Sequence, residues 1–356
     1  MIKTLHIENF KSIRNLSISP GRVNIFIGEP SSGKSNLIEA ISLLSKRSVP
    51  LRDMVRMREP DHLFSNNDLE KTIRVETDIA KLAITYSNGS YLVTIIDSNS
   101  KNEIHKLKQK LGILQIGSDH SSENEIYNRK FVHPFIKIDT FEFDLSQTDP
   151  YLNLNEYLSQ SILYYKYKSF HQFIDKSTAR LNAPYGDNLP QIILTRGKLK
   201  SILSDILQEY GLKLGINPND NSLKFFREID NIVYEYPLVS LSDTLLRLLF
   251  FITAMHTENS VLLFEEPEAH IFPFYNKYFG EKIALDESNQ YFIATHNFPF
   301  VSSILQKTNP IDLQIYITES TPFETKLFSI PQNKFEEIYE LRDNFFLNLN
   351  RYKDGL

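Results

Sequence analysis

The spacing of apolar residues predicts short buried strands near both ends of the chain. Arg22 to Ile27 contains the almost wholly apolar segment VNIFI, which is typical of a strand at the centre of a sheet. Other short apolar runs, bounded by polar residues, occur later in the chain. The segments that predict strands are Lys3 to Ile7, Arg22 to Ile27, Val261 to Phe264, Tyr291 to Ala294, Asp312 to Thr318 and Thr325 to Ile330.

The middle of the chain has a different periodicity. Lys81 to Asp97 places β-rich runs on either side of Asn88 and Gly89, a dipeptide that favours the tight turn of a β-hairpin. Between Asn153 and Leu212, apolar residues recur at intervals of three and four, which predicts a helical lobe. Lys334 to Leu347 predicts a closing helix.

One polar stretch, Ser98 to Asn128, contains four lysines between residues 101 and 110. It is either a solvated insertion, which is the interpretation we favour, or a basic arm that contacts DNA. The chain as a whole carries a net charge of -5, so any surface for nucleic acid must be local.

Composition excludes several classes of protein. With 356 residues, of which 41% are hydrophobic and 23% charged, the chain can bury a core and is not intrinsically disordered. The absence of cysteine excludes disulfides, thiolate metal sites and thiol nucleophiles, and it favours a reducing compartment, so we expect a cytoplasmic protein. The longest apolar stretch, Leu245 to Met255, contains Arg247 and is shorter than the roughly 20 residues of a membrane span. It predicts a buried helix and no membrane partner.

The first candidate for chemistry lies between the VNIFI strand and an apolar helix. There the segment GEPSSGKS matches the phosphate-loop pattern G-x-x-x-x-G-K-[ST]. Glycines allow backbone N–H groups to face phosphate oxygens, Lys34 can reach the β- and γ-phosphates, and the Ser35 hydroxyl is a ligand for Mg²⁺. The sequence therefore predicts an ATP and Mg²⁺ site. Its predicted nucleotide-binding residues are Gly28, Glu29, Pro30, Ser31, Ser32, Gly33, Lys34, Ser35 and Asn36.

A second apolar strand ends in carboxylates, in the segment FEEPEAH. We assign Glu265 to Mg²⁺ and Glu266 to the attacking water, as general base. A Glu-Glu-Pro sequence by itself is more often a charged turn, but a phosphate loop in the same chain reverses this preference. Glu268 and His270 are secondary candidates, and His270 is equally suited to cap the following segment.

A third apolar strand ends in the segment ATHN. His296, at its carboxyl end, can donate a hydrogen bond to a γ-phosphate, and we predict that it assists catalysis. Without the other two motifs, a structural role for this histidine would be the favoured interpretation.

In order, these motifs resemble the head of an ABC-type ATPase. The segments that carry the resemblance are IENFKSI, GEPSSGKSN, Leu241-Ser242-Asp243, FEEPEAH and ATHN. The chain is more similar to the group of RecF, chromosome-maintenance proteins and OLD-type (overcoming lysogenization defect) ATPases than to transporter subunits. Gly186 to Leu189 also resembles a turn before the helical lobe of the OLD-like group.

The resemblance implies an α/β fold, namely a P-loop ABC-ATPase head with a mainly parallel core sheet, an antiparallel β subdomain and a helical lobe. Residues 1–150 would hold the phosphate loop and the antiparallel region. Residues 151–258 would form the helical lobe with the signature segment, and residues 259–356 would complete the ATPase lobe with the carboxylate motif and His296.

The resemblance also implies a homodimer, in which two ATP molecules lie between the phosphate loop of one subunit and the signature segment of the other. Ser242 would then contact ATP across the interface, although from the residues alone it is equally an N-cap for the helix near Leu245. Thr244 replaces the signature glycine, and Glu265 replaces the aspartate of the wider superfamily, although a Glu-Glu pair is familiar in the OLD-like group. Gln147 is a candidate for the glutamine loop.

Two function hypotheses follow. The first is an ATPase whose nucleotide-dependent dimerisation drives or gates DNA maintenance or a phage-defence effector, with DNA or a separately encoded nuclease as partner. The second is a weakly hydrolysing switch or scaffold, which Thr244 and Glu265 favour. A transporter subunit is weakened because the Ser242 segment lacks a double glycine. We expect no nuclease domain of the topoisomerase-primase type, because no Asp-x-Asp pair follows Asn297.

Overall fold

The structure is a computed structural model that describes residues 1–45, 51–87, 90–97, 114–117, 137–138, 161–169, 173–217 and 219–353. Within these residues the strands, in chain order, are β1 (Leu5–Phe10), β2 (Ile13–Ile18), β3 (Val23–Ile27), β4 (Ile73–Thr77), β5 (Ala80–Ser87), β6 (Ser90–Asp97), β7 (Leu114–Gly117), β8 (Lys137–Ile138), β9 (Ile162–Tyr165), β10 (Lys213–Asn217), β11 (Ser222–Ile229), β12 (Ile232–Tyr236), β13 (Val261–Glu265), β14 (Gln290–Ala294), β15 (Leu313–Ser320) and β16 (Thr325–Ser329).

The α-helices of the same residues are α1 (Lys34–Ser42), α2 (Leu51–Met54), α3 (Leu189–Thr195), α4 (Gly197–Gln208), α5 (Asp243–Met255), α6 (Pro273–Leu285), α7 (Phe298–Lys307) and α8 (Phe335–Leu341). Short 3₁₀ segments connect several of these elements, and a longer one, Arg342–Tyr352, follows α8. No helix in the described part of the chain is long and apolar enough to cross a membrane.

The central sheet has the strand order β16-β15-β3-β14-β13-β9. Its strands are parallel except β16, which pairs antiparallel with β15. All five residues of β3 are buried, because this strand lies inside the sheet and both of its faces are covered. The parallel order places the ends of β3, β13 and β14 side by side at one edge.

Each face of the central sheet packs against its own layer. On one face, α1 lies between the sheet and the antiparallel strands near the amino terminus, with Phe26, Ile38 and Phe292 in a shared core. On the other face, helices α3 to α8 form a larger core that includes Phe264 and Phe279. The α/β prediction with a mainly parallel sheet is therefore confirmed.

The antiparallel part forms a second sheet, in the order β2-β1-β4-β5-β6-β7-β8. The predicted hairpin is confirmed, because β5 and β6 pair antiparallel with Ser87 opposite Ser90. The Lys101–Lys110 stretch and Gln147 lie outside the described residues, so the interpretations of both stay predictions.

Residues 151–258, which we predicted as a helical lobe, contain strands as well as helices. Helices α3 and α4 confirm the helical spacing near its centre, but β9 is a strand of the central sheet that pairs with β13. Four consecutive buried residues have no detectable period, so only the pairing partner shows that they form a strand. A third sheet, β10-β11-β12, also lies in this range and was not predicted.

The prediction of a closing helix from Lys334 to Leu347 is wrong in the length of the helix. The α-helix α8 covers Phe335–Leu341 only, and the chain continues as the 3₁₀ segment Arg342–Tyr352. The aromatic ring of Phe345 in that segment packs against Phe298 and Tyr352, so its position depends on contacts with α7.

Candidate nucleotide site

The three predicted motifs meet at the carboxyl edge of the central sheet. The phosphate loop follows β3, the carboxylate pair lies at the end of β13, and Thr295-His296-Asn297 follows β14. Because β3, β14 and β13 are consecutive parallel strands, segments more than 200 residues apart in sequence come together there. Ligands of open α/β sheets bind at this edge.

The phosphate loop has a backbone shape that favours glycine at two positions. Gly28 and Gly33 have φ values of +154° and +101°, which side chains of L-residues rarely adopt. A Cβ on Gly28 would lie 2.4 Å from the carbonyl oxygen of Thr318, and one on Gly33 would lie 2.2 Å from Thr325 Oγ1. The loop is thus pressed against β15 and the start of β16.

The loop leads into the amino terminus of α1, where no side chain caps the helix. The first backbone N–H groups of a helix have no partner within it, and they form an anion site together with the helix dipole. Asn36 in this first turn donates through Nδ2 to Ser12 Oγ at 2.6 Å, so its amide joins α1 to the turn between β1 and β2.

The Lys34 side chain is folded into the loop. Its Nζ donates to the carbonyl oxygens of Gly28 and Glu29, each at 2.8 Å. Burial lowers the pKa of Lys34, whereas the negative charge of Glu266 acts in the opposite direction. The ammonium group therefore already lies in the space that the loop encloses, close to where phosphate oxygens would bind.

Glu265 ends β13 and is held by two partners that the sequence did not indicate. Tyr164 Oη donates to Glu265 Oε2 at 3.0 Å, and Arg56 Nη2 donates to Glu265 Oε1 at 3.2 Å. Arg56 Nε also donates to the buried carboxylate of Glu39 at 2.9 Å, which Lys11 contacts in turn. No local pattern could have revealed this network, because Arg56 and Glu265 lie 209 positions apart.

Glu266 and His296 face each other across the ends of β13 and β14. Glu266 Oε1 lies 3.4 Å from His296 Nδ1, and the two side chains are 41% and 55% exposed. Glu266 has a φ of +45°, a conformation uncommon for a residue with a side chain, and its N–H donates to the carbonyl of Ala294. An exposed carboxylate beside an imidazole can accept a proton from water.

Glu268, a secondary candidate, is buried directly behind this pair. The Thr295 hydroxyl donates to Glu268 Oε1, whereas Oε2 has no hydrogen-bond partner among the described residues. Burial raises the pKa of Glu268 to about 7. The N–H of Asn297 also donates to Thr295 Oγ1 at 3.1 Å, so Glu268 joins the loop after β13 to the loop after β14.

The signature segment is built as a helix start. Ser242 is the N-cap of α5, and its Oγ accepts from the N–H of Leu245 at 3.4 Å. Thr244 Oγ1 donates to the carbonyl oxygen of His270 at 2.6 Å, which connects α5 to the segment after the carboxylate pair. The capping alternative for Ser242 is therefore realised, and its contact with ATP stays a prediction.

The oxygen donors of the site suit a triphosphate with Mg²⁺. Ser35 and Glu265 offer a hydroxyl and a carboxylate, and Mg²⁺ completes such a set with phosphate oxygens and water. Among the described residues, no three His, Cys, Asp or Glu side chains are grouped so that they could hold a metal ion by themselves.

Comparison with known protein families identifies the family of this chain. Residues 23–303 match the family described as "AAA domain, putative AbiEii toxin, Type IV TA system". The chain belongs to this AAA-domain family. The match begins at the first residue of β3 and ends within α7, so it includes the phosphate loop, the carboxylate pair and His296. A comparison of this chain with curated proteins found no match.

Solved structures agree with the fold. The AAA-family chain is 13% identical to an SmcHead bound to the C-winged helix domain of ScpA, with a TM-score of 0.51 over 95% of this chain and 99% of that one. It is 14% identical to an Smc head domain with an extended coiled coil bound to the C-terminal domain of ScpA, derived from Pyrococcus furiosus, with a TM-score of 0.50 over 95% and 98%. The fold of the predicted ABC-type head is therefore confirmed, while the narrower likeness to OLD-type ATPases stays a prediction.

Proposed function

We propose that this chain binds ATP with Mg²⁺ and hydrolyses it, and that two copies close around the nucleotide to control a separate effector. One observation carries the proposal. At a single sheet edge, an uncapped helix start and a lysine lie beside a carboxylate pair and a histidine.

The binding half of the proposed reaction uses the loop and α1. The N–H groups at the start of α1 would donate to the phosphates, and Lys34 would exchange its carbonyl partners for the β- and γ-phosphate oxygens. Ser35 and Glu265 would hold Mg²⁺, which when bound neutralises charge on the transferred phosphoryl group. Glu265 would have to share its carboxylate between the ion and its present partners, Arg56 and Tyr164.

The hydrolytic half uses Glu266 and His296. Glu266 would orient a water molecule and accept its proton, and His296 would donate a hydrogen bond to the γ-phosphate. Their contact of 3.4 Å keeps both groups within reach of one small ligand. Because about half of each side chain is exposed, a second subunit would be needed to exclude bulk water from the reaction.

The proposed partner surface is a second copy, with Ser242 donating to the nucleotide held by the other subunit. The regulated partner would be DNA or a separately encoded effector, such as a nuclease, and the lysines of residues 101–110 remain the candidate for DNA contact. Binding to DNA by such a patch should weaken steeply as salt is raised.

Mixing two inactive variants tests the shared site. Ser242→Arg and Lys34→Ala chains should each be inactive alone. A mixture should regain ATPase activity, because one composite site would combine an intact phosphate loop with an intact signature segment. That activity should reach at most half of the parental activity per heterodimer. Full activity of both Ser242→Arg and Ser242→Ala chains alone would contradict the shared site and leave Ser242 as a cap, worth about 1 kcal/mol of stability.

A weakly hydrolysing switch is the second candidate, and the contacts of Glu265 favour it. Since Arg56 and Tyr164 already occupy both carboxylate oxygens, Mg²⁺ must compete with them. This candidate predicts ATP-dependent dimers in size-exclusion chromatography while steady-state hydrolysis stays close to the rate without protein. Rapid turnover by the unmodified chain would exclude it.

A further inference from the structure

The strand order places the predicted hydrolytic residues and the β15–β16 pair on opposite sides of the phosphate-loop strand. Glu266 and His296 follow β13 and β14, on one side of β3, whereas β15 and β16 lie on the other side. If the γ-phosphate faces Glu266 and His296, as in the proposed function, the nucleoside end extends toward the start of β16.

On that side, hydrogen bonds fix the chain next to the loop. The N–H of Thr325 donates to the carbonyl oxygen of Ser12 at 2.7 Å, and the hydroxyls of Ser12 and Thr325 are 2.7 Å apart. Ser12 Oγ also accepts from Asn36 in the first turn of α1. The turns β1–β2 and β15–β16 therefore have defined positions relative to the phosphate loop.

The β15–β16 turn presents an aromatic ring to solvent at this place. Phe323 is 67% exposed, and the guanidinium carbon of Arg14 lies 5.8 Å from the centre of its ring. The turn is closed by Thr321, whose N–H donates to the carbonyl of Glu324 at 2.9 Å and whose Oγ1 accepts from the Glu324 N–H at 3.1 Å. The backbone that carries the ring is thus held in place, and the ring itself remains available.

We propose that Phe323 and Arg14 form a nucleobase platform, on which the purine of the bound triphosphate stacks. The platform rests on the proposed function. An aromatic face and a guanidinium both attract the π-system of a base, and such stacking tolerates different bases because every base has a π-face. No residue of the platform reads the edge of the base, so it distinguishes a nucleotide from a bare triphosphate but accepts both adenine and guanine.

The test compares ligands with and without a base. The Kd values of Mg²⁺ with ATP, with GTP and with inorganic tripolyphosphate are measured by calorimetry for the parent, Phe323→Ala, Phe323→Tyr and Arg14→Gln. Phe274→Ala, which removes a ring of similar exposure (60%) on α6, is the matched control. Phe323→Ala should weaken ATP and GTP by about 10-fold or more and leave tripolyphosphate unchanged.

Other outcomes separate the hypotheses. Phe323→Tyr should retain parental affinity because the ring is kept, Arg14→Gln should lose a smaller factor than Phe323→Ala, and Phe274→Ala should behave as the parent. Unchanged ATP affinity in Phe323→Ala would overturn the platform, and so would an equal loss for tripolyphosphate, because Phe323 would then support the loop and not the base. Failure of the parent to bind ATP would instead overturn the proposed function.

Discussion

The phosphate loop and the carboxylate pair face the same site but differ in how firmly their neighbours hold them. The loop has no room for a Cβ at Gly28 or Gly33, and Lys34 is buried within it. The side chains of Glu266 and His296, by contrast, are 41% and 55% exposed, and they contact each other at 3.4 Å. The half proposed to bind the triphosphate is therefore held more firmly by its neighbours than the half proposed to hydrolyse it.

This contrast suggests a division of labour. A preorganised loop lowers the entropic cost of binding a triphosphate, since few protein groups must become ordered when the triphosphate binds. In the proposed function, the more open hydrolytic half would make turnover depend on another component, such as a second subunit. The two halves should consequently respond to substitution in different ways.

The largest expected effect is that of Lys34→Ala on the loop. The substitution removes several charge-assisted hydrogen bonds to the phosphates, and ATP binding should be abolished. Calorimetric titration with Mg²⁺-ATP measures it, and Lys277→Ala, at an exposed lysine of α6, is the matched control. Parental affinity in the Lys34 variant would mean that the loop is not the binding half.

The next largest effect is that of Glu266→Gln on the open half. The amide keeps the shape but cannot accept a proton, so kcat should fall by about 100-fold or more while the Kd for ATP is unchanged. An ATP-dependent dimer should then persist in size-exclusion chromatography. If Glu265→Gln gave this trapped state and Glu266→Gln remained active, the roles of the two carboxylates would be reversed.

Gly33→Ala tests how tightly the loop is packed. A Cβ there meets an unfavourable φ and lies 2.2 Å from Thr325 Oγ1, so the free energy of unfolding should fall by about 3 kcal/mol or more. Urea denaturation measures the loss. Gly197→Ala is the control, because a Cβ at that position has open space and the residue begins α4. Equal stability of the Gly33 and Gly197 variants would show that the loop yields easily.

The smallest expected effect is that of pH on stability through Glu268, which is buried behind Glu266 and His296. Because its pKa is raised to about 7 in the folded chain, the folded state holds this proton more tightly than the unfolded chain, where the ordinary value is 4.5. The resulting stability is fully present below pH 4.5 and is lost as pH rises through about 7.

Glu268→Gln cannot ionise, so the variant should become more stable than the parent between pH 5 and pH 8, by about 1 to 3 kcal/mol. Urea denaturation of both chains at pH 5, 6.5 and 8 measures the difference. A difference that is constant across this range would show that Glu268 does not titrate there, and that its role is confined to the hydrogen bond with Thr295.

The fold class was correctly predicted from the sequence alone, and the main candidate residues were identified from it. The phosphate-loop pattern, the carboxylate pair and His296 each follow an apolar run, and all three runs form strands of one sheet. These features are local: a turn motif or a strand is encoded by residues within a short distance along the chain. The hairpin of β5 and β6 was predictable for the same reason, from its Asn-Gly dipeptide.

Tertiary structure decided how those local features connect. The four buried residues of β9 have no period, so their membership of the central sheet depends on the pairing with β13. The partners of Glu265 come from Arg56 and Tyr164, and the turn bearing Phe323 is joined to Ser12 through Thr325. Such contacts arise only when segments distant in sequence become neighbours, because hydrogen bonds and ion pairs depend on distance in space and leave no spacing pattern along the chain.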